Sequence, residues 1–477
     1  MNTAKNNPAS VPMSTKEKNK LGHTGWLTCI VVLALLLLHI LPGMRWRGHA
    51  LRRVDLLSDV RPPKAQPVAG ADTSLPPPPA VRPAFADTCR TGMTCIEDYS
   101  DSTLRGMTPF YQALDELASH RRHVRIAYLG DSFIEADILT ADLREMLQRH
   151  YGGCGVGFVP VTSAINEFRP TVRHDFKGWE SHSSTDSIGF NRSLQGLSGQ
   201  YFFPSDGAYV ELRGQDDYAS LLDTCRRASV FFRVRSGGRL ALSARINRGE
   251  NITRTFLPSD SLQQMVVEGA IGSVRWTVEQ ADSVIFYGVA MDDNKGGITL
   301  DNFSLRGTTG LSLRRIPMEA LRQFNALRPY DLIVLQYGLN VAHEEVNNYA
   351  YYATGMRPVL DSLKQAFPQA GILVVGVGDR DYKDEEGILR TMPCIKSLLR
   401  YQQRLAADNA VAFWNLYEAM GGEASMAKLV EADPPQANLD YTHINFRGGH
   451  YIAGLLYDVL VYGKQQYDRR RAYEDGL

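Results

Sequence analysis

His123-Val124-Arg125-Ile126-Ala127-Tyr128-Leu129-Gly130-Asp131-Ser132 is a β-branched and aromatic run that stops on a glycine and hands over to a serine. The run has strand composition and Gly-Asp-Ser is turn chemistry, so the serine is expected on a tight turn at a strand's carboxyl end. Beyond it, Ile138 to His150 carries Leu139, Leu143 and Leu147 four apart, the spacing of one helix face. In an open α/β sheet this strand-to-helix edge is where ligands sit, because loops diverge there and helix N-termini offer unpaired N–H groups to an anion. Taken alone, Ser132 could equally cap the helix that follows.

The α/β pattern breaks off and then returns. From about residue 162 to 300 helical spacing vanishes, and short alternating runs such as Ser229-Val230-Phe231-Phe232-Arg233-Val234 and Ser283-Val284-Ile285-Phe286-Tyr287 take over. Five or more such runs between Gly, Asp, Asn and Pro clusters predict an antiparallel β-sandwich inserted into the first fold. After Gly310 helices are expected at Pro317–Ala326, Tyr349–Phe367, Pro393–Asp408 and Phe446–Tyr462, alternating with strands at Leu332–Gln336, Gly371–Val377 and Ala410–Asn415. That alternation predicts a parallel sheet covered on both faces.

Two distant blocks give Ser132 chemical partners. The strand Leu332-Ile333-Val334-Leu335-Gln336-Tyr337 ends in Gly338-Leu339-Asn340, and near the C-terminus stands Asp440-Tyr441-Thr442-His443. A hydroxyl becomes a nucleophile when a base within reach takes its proton, and a carboxylate three residues before that base can fold back to orient it. On these blocks the chain resembles the SGNH/GDSL hydrolases. The resemblance implies a flavodoxin-like three-layer fold, Ser132 as nucleophile, Asp440 and His443 as its partners, and Asn340 as an oxyanion-hole donor. It also implies a glycine N–H beside the N–H of Ser132, carried by Gly307 or, failing that, Gly310, and no metal or organic cofactor. The family often shows Gly-x-Asn-Asp at the third block, where this chain has Gly338-Leu339-Asn340-Val341. His450 is a rival base, Asn340 could be a turn residue, and Asp379 reads as a carboxylate on a surface loop.

Lysine plus arginine equals aspartate plus glutamate at 52 each, a balance that argues against nucleic acid as partner. No Cys/His cluster has zinc spacing. Of the six cysteines, Cys89 and Cys95 read as a local disulfide if the segment is exported. Leu21 to Met44 contains no Asp, Glu, Lys or Arg, which is near the ~20 residues needed to span a bilayer. The resulting division is residues 1–24 as a cytoplasmic segment, 25–44 as a transmembrane anchor and 45–88 as a Pro-rich linker. Residues 89–161 and 301–465 form the catalytic unit, 162–300 the carbohydrate-binding-like insertion and 466–477 a charged tail.

Gly130-Asp131-Ser132 through Tyr151-Gly152-Gly153-Cys154-Gly155-Val156-Gly157-Phe158-Val159-Pro160, the β-insertion and the Asp440–His443 block are together similar to bacterial peptidoglycan O-acetylesterases. That likeness implies an O-acetylated glycan as substrate and a periplasmic catalytic unit tethered to the inner membrane. An O-acetyltransferase with the same triad and a catalytically silent glycan-binding protein are the alternatives.

Overall fold

The computed structural model describes residues 21–40, 45–46, 49–50, 88–100, 106–120, 122–186, 188–293 and 295–476. The chain divides into Met1–Pro83 and Ala84–Leu477. In the first unit Leu21–Ile40 is helix α1, and Arg45–Trp46 (β1) pairs antiparallel with His49–Ala50 (β2). The segment 1–20 and nearly all of the Pro-rich linker lie outside the described residues, as do the side chains of residues 35–40 in α1. Among the described residues no helix is long and apolar enough to cross a membrane, so the anchor expected at 25–44 rests on the sequence.

The second unit opens with the disulfide Cys89–Cys95, followed by β3 (Glu97–Asp98), α2 (Thr108–His120) and β4 (His123–Gly130). A 3₁₀ segment, Ser132–Asp137, leads into α3 (Thr140–Tyr151). Next come β5 (Gly157–Val159), β6 (Arg173–Ser183), β7 (Gln200–Arg213), β8 (Cys225–Ile246), β9 (Asn251–Phe256), β10 (Gln263–Ile271) and β11 (Ser273–Asp292). The α/β pattern resumes with β12 (Gly297–Ser304), α4 (Met318–Leu327), β13 (Leu332–Gln336), α5 (Ala350–Ala366), β14 (Gly371–Val375) and the hairpin β15 (Asp381–Lys383) and β16 (Leu389–Thr391). It closes with α6 (Pro393–Asp408), β17 (Ala412–Trp414), α7 (Leu416–Met420), α8 (Ser425–Glu431) and α9 (Phe446–Asp475).

One sheet has the order β12-β4-β13-β14-β17-β3. Its first five strands are parallel and β3 joins the edge antiparallel. Every residue of β13 and β14 is buried, as strands covered on both faces require. Register places Gly130 level with Ser304 on one neighbour and with Gln336 on the other. The loops after three adjacent strands therefore leave from one line, and that line is the site.

The insertion departs from the expected two-sheet sandwich. β8 and β11 pair antiparallel along nearly their whole length, from Val274↔Ile246 to Asp292↔Arg227, with three register shifts. β9 and β10 flank β8, while β7 and β5 flank β11. Both halves of this ribbon feed one core, with Phe232 and Val234 beside Leu242, Trp276 and Phe286. It is one seven-stranded sheet folded over itself, because bulges let a long ribbon bend and bury its inner face without breaking into two sheets. The module spans 157–292, and β12, part of which falls within 162–300, belongs to the parallel sheet. Of the charged tail expected at 466–477, residues 466–475 are the end of α9. Lys464 and Arg471 each reach Asp115 of α2 at 2.7 Å, contacts that hold a polar helix end where local pattern shows none.

Candidate active site

Ser132 stands two residues past the end of β4. The capping role open to it is taken by Asp131, whose Oδ1 accepts from the Phe133 N–H at 3.0 Å. The serine hydroxyl is left for His443, to whose Nε2 it donates at 3.4 Å. His443 Nδ1–H donates to Asp440 Oδ2 at 2.8 Å, which fixes the tautomer with Nε2 as acceptor. Asp440 Oδ1 also accepts from the N–H groups of Thr442 and His443, each at 3.0 Å. Partial burial opposes the Asp440 anion, but those hydrogen bonds prevail and hold its pKa below the ordinary carboxylate value.

The turn that folds Asp440 back carries Tyr441 at φ +52°, a left-handed conformation uncommon for a tyrosine. Three anchors hold it. The Tyr441 carbonyl accepts from the Asp381 N–H at 3.1 Å, and the His443 carbonyl from the Asn438 N–H at 2.8 Å. The third is Asn445, whose side chain caps α9 by accepting from the Arg447 and Gly448 N–H groups.

Asn340, on the loop after β13, donates its amide to the Thr308 carbonyl at 3.1 Å. That bond ties the β13 loop to the β12 loop, which carries Gly307. Among the described residues the N–H groups of Ser132 and Gly307 have no hydrogen-bond partner, as donors kept for an oxyanion would. Gly307 is exposed at φ +77°. Gly310 instead packs on the Tyr337 ring, 2.8 Å from where a Cβ would sit. Asn340 lies in the turn after β13 but is absent from the residues at positive φ, so a left-handed conformation is not its use.

Other candidates fall elsewhere. His450 donates from Nδ1 to Asp142 Oδ1 at 2.8 Å with its side chain 66 % exposed, which joins α9 to α3. Asp379 is fully buried and not on a surface loop. It accepts from Thr391 Oγ1 at 2.7 Å, Ser425 Oγ at 3.1 Å and the Met426 N–H at 2.9 Å. Beside it Asp381 accepts from the Ala427 N–H, and burial together with the Asp379 charge pushes its pKa up. This pair anchors the N-terminus of α8 and, through Asp381, the Asp440–His443 turn, a role with no local sequence signal. Of the module's aromatics, Phe202 and Trp276 are buried in its own core with Trp179 packed against it, Trp179 donates to the Tyr209 carbonyl at 2.8 Å, and Tyr201 is buried in the core of the α/β unit. Among the described residues no group of three or more His, Cys, Asp or Glu could hold a metal ion.

No family model matches the sequence, and no curated protein matches it. Among solved structures a peptidoglycan O-acetylesterase is similar, with a TM-score of 0.64, 22% identity, and 78% of this chain and 99% of that one covered. The fold, a mixed α/β architecture with a parallel sheet, is therefore shared with that esterase. A family two carbohydrate esterase from Clostridium thermocellum aligns at 12% identity over 61% of this chain and 100% of that one, with a TM-score of 0.26. An acetyl xylan esterase aligns at 15% identity over 34% and 80%, also at 0.26. These neighbours are esterases.

Proposed function

We propose that the protein is a serine esterase that removes O-acetyl groups from a cell-envelope glycan, peptidoglycan foremost, through an acyl-enzyme on Ser132. The observation that carries this reading is the hydrogen-bonded series Ser132–His443–Asp440, with Asn340 and Gly307 on the loops to either side.

His443 Nε2 takes the hydroxyl proton as Ser132 Oγ bonds to the acetyl carbonyl carbon, and Asp440 stabilises the imidazolium. The negative oxygen of the tetrahedral intermediate is met by the Ser132 and Gly307 N–H groups and the Asn340 amide. His443 then gives its proton to the departing sugar oxygen, leaving acetyl on Ser132. Water, deprotonated by the same imidazole, attacks the ester, and acetate leaves as His443 returns that proton to Ser132 Oγ. The His443 side chain is 43% exposed and that of Asp440 51%, so water reaches the acyl-enzyme freely.

In this reading the uncharged run 21–44 anchors the chain in a bacterial inner membrane with the catalytic unit in the periplasm. Support comes from the uncharged run 21–44 and from the Cys89–Cys95 disulfide, which suits an oxidising compartment. The glycan assignment draws on the fold shared with the peptidoglycan O-acetylesterase.

The test is to mix the detergent-solubilised protein with a small activated acetyl ester, quench, and map the mass. One acetyl group on Ser132, absent from Ser132→Ala, is the expected result. Unchanged turnover by Ser132→Ala would rule the reading out.

A further inference from the structure

β4 and β12 run parallel with Gly130 level with Ser304. The ladder between them ends one residue further on, where the Leu305 N–H donates to the Gly130 carbonyl at 3.0 Å. Ser132 and Gly307 both lie past that point. Their N–H groups can meet one oxygen only if the two loops keep a spacing that the sheet no longer imposes. The tolerance is small, because an oxyanion donor acts from about 2.7–3.1 Å.

Gly307 contributes little to its own placement. It is exposed at φ +77°, and a Cβ built there would meet no atom within 4 Å. Its two chain neighbours hold it instead. On one side the Thr308 carbonyl accepts from the Asn340 amide at 3.1 Å. On the other, Arg306 donates from Nε at 2.8 Å and from Nη2 at 2.6 Å to one oxygen, Glu135 Oε2. Glu135 belongs to the 3₁₀ segment that begins at Ser132. Its backbone leaves the helical region at ψ 153°, Ala136 follows at φ +53°, and the Glu135 carbonyl accepts from the Ile138 N–H at 3.0 Å. At this break in the 3₁₀ run the carboxylate meets the β12 loop. Both side chains border a cleft of about 400 Å³ between the 3₁₀ segment and the β-module, which supplies Ser163, Ser183 and Gln200 to it.

Glu135 and Arg306 therefore tie the nucleophile segment to the glycine loop without bonding to Ser132, His443 or Asp440. The Arg306 side chain is 68% exposed and that of Glu135 15%, and a pair open to solvent on one side adds little to folding stability. What two charge-assisted donors on one oxygen do fix is direction as well as distance. We propose that Glu135 and Arg306 are positioning residues, whose ion pair sets the Gly307 N–H against the Ser132 N–H and so shapes the oxyanion hole. This rests on the esterase reading.

The test is steady-state hydrolysis of a small activated acetyl ester, too short to reach along the cleft, by the full-length protein in detergent. Glu135→Ala and Arg306→Ala are each expected to lower kcat about tenfold with KM within about twofold, the mark of a displaced donor. The double variant is expected to fall no further, because both substitutions break one tie. Glu135→Gln, which keeps an acceptor without the charge, and Arg306→Lys, which keeps the charge without the fork, each recover part of the loss. Unchanged kcat in either alanine variant, an effect on KM in place of kcat, or single effects that multiply in the double variant overturns the proposal. If an alanine variant fails to fold, Glu135→Gln and Arg306→Lys decide by the same criteria: reduced kcat that does not multiply supports the tie, and parental kcat overturns it. Ser132→Ala is run alongside. Turnover that survives it overturns the esterase reading and this proposal together, whereas serine-dependent turnover indifferent to Glu135→Ala overturns the proposal alone.

Discussion

Asp131 sits between Ser132 and the Asn340 amide with its carboxyl buried. Burial raises its pKa to about 6, against the Phe133 and Gly338 N–H groups, the His443 charge and the Asn340 amide, which favour the anion. The folded value lies above the ordinary 3.8, so the native state binds this proton more tightly than the unfolded chain. The resulting stability is full below pH about 4, is lost as pH rises to about 6, and amounts to roughly 3 kcal/mol. Asp131→Asn keeps an acceptor for Phe133 but cannot ionise. Denaturant melts across that window are expected to show the variant gaining on the parent by up to that amount, and parallel curves would refute the assignment. In the proposed mechanism Asn340→Ala removes one oxyanion donor, and kcat for a small acetyl ester is expected to fall about 10²–10³-fold with KM little changed. Ser132, Asp440, His443 and Asn340, which the structure brings together, could be read as one group from sequence because the proposed chemistry fixes residue type and order. Asp131's burial and the Glu135–Arg306 pair could not, since charge type says nothing about depth or partner.

At the scale of elements, the helices and buried strands followed from leucine spacing and β-branched runs, to within a few residues where elements were short. What sequence could not supply was the support behind the His443 turn: the Asp379–Asp381 pair and the Asn445 cap act across the fold. Asn445→Ala should cost about 1 kcal/mol of stability. It should lower activity by more than that loss of folded protein explains, because α9 and the turn share this residue; activity scaled to folded fraction checks it. The Cys89–Cys95 link closes a short loop, with a separation of 6, beside the β3 edge, where Trp414 Nε1 donates to the Thr94 carbonyl at 2.9 Å. Replacing both cysteines by serine is expected to lower unfolding free energy by about 2 kcal/mol on the loop-entropy estimate, read from denaturant midpoints, with the triad untouched.

Across the whole molecule, a neutral chain carries its chemistry at one sheet edge and its cleft wall on an inserted module. Alternation announced the module, but the bulges that fold one ribbon into both halves of its core carry no local signature, so its architecture was legible only as antiparallel β. If the apolar run 21–44 is an anchor, the full-length protein sediments with membranes and is released by detergent but not by high salt; release by salt alone would contradict it. The central claim is serine-dependent deacetylation of a wall glycan. The measurement that meets it most directly is acetate release from O-acetylated peptidoglycan by the solubilised protein beside Ser132→Ala. Release by the parent and none by the variant is the result expected here. Equal release by both, or none from peptidoglycan while a small acetyl ester is still cleaved, would contradict it.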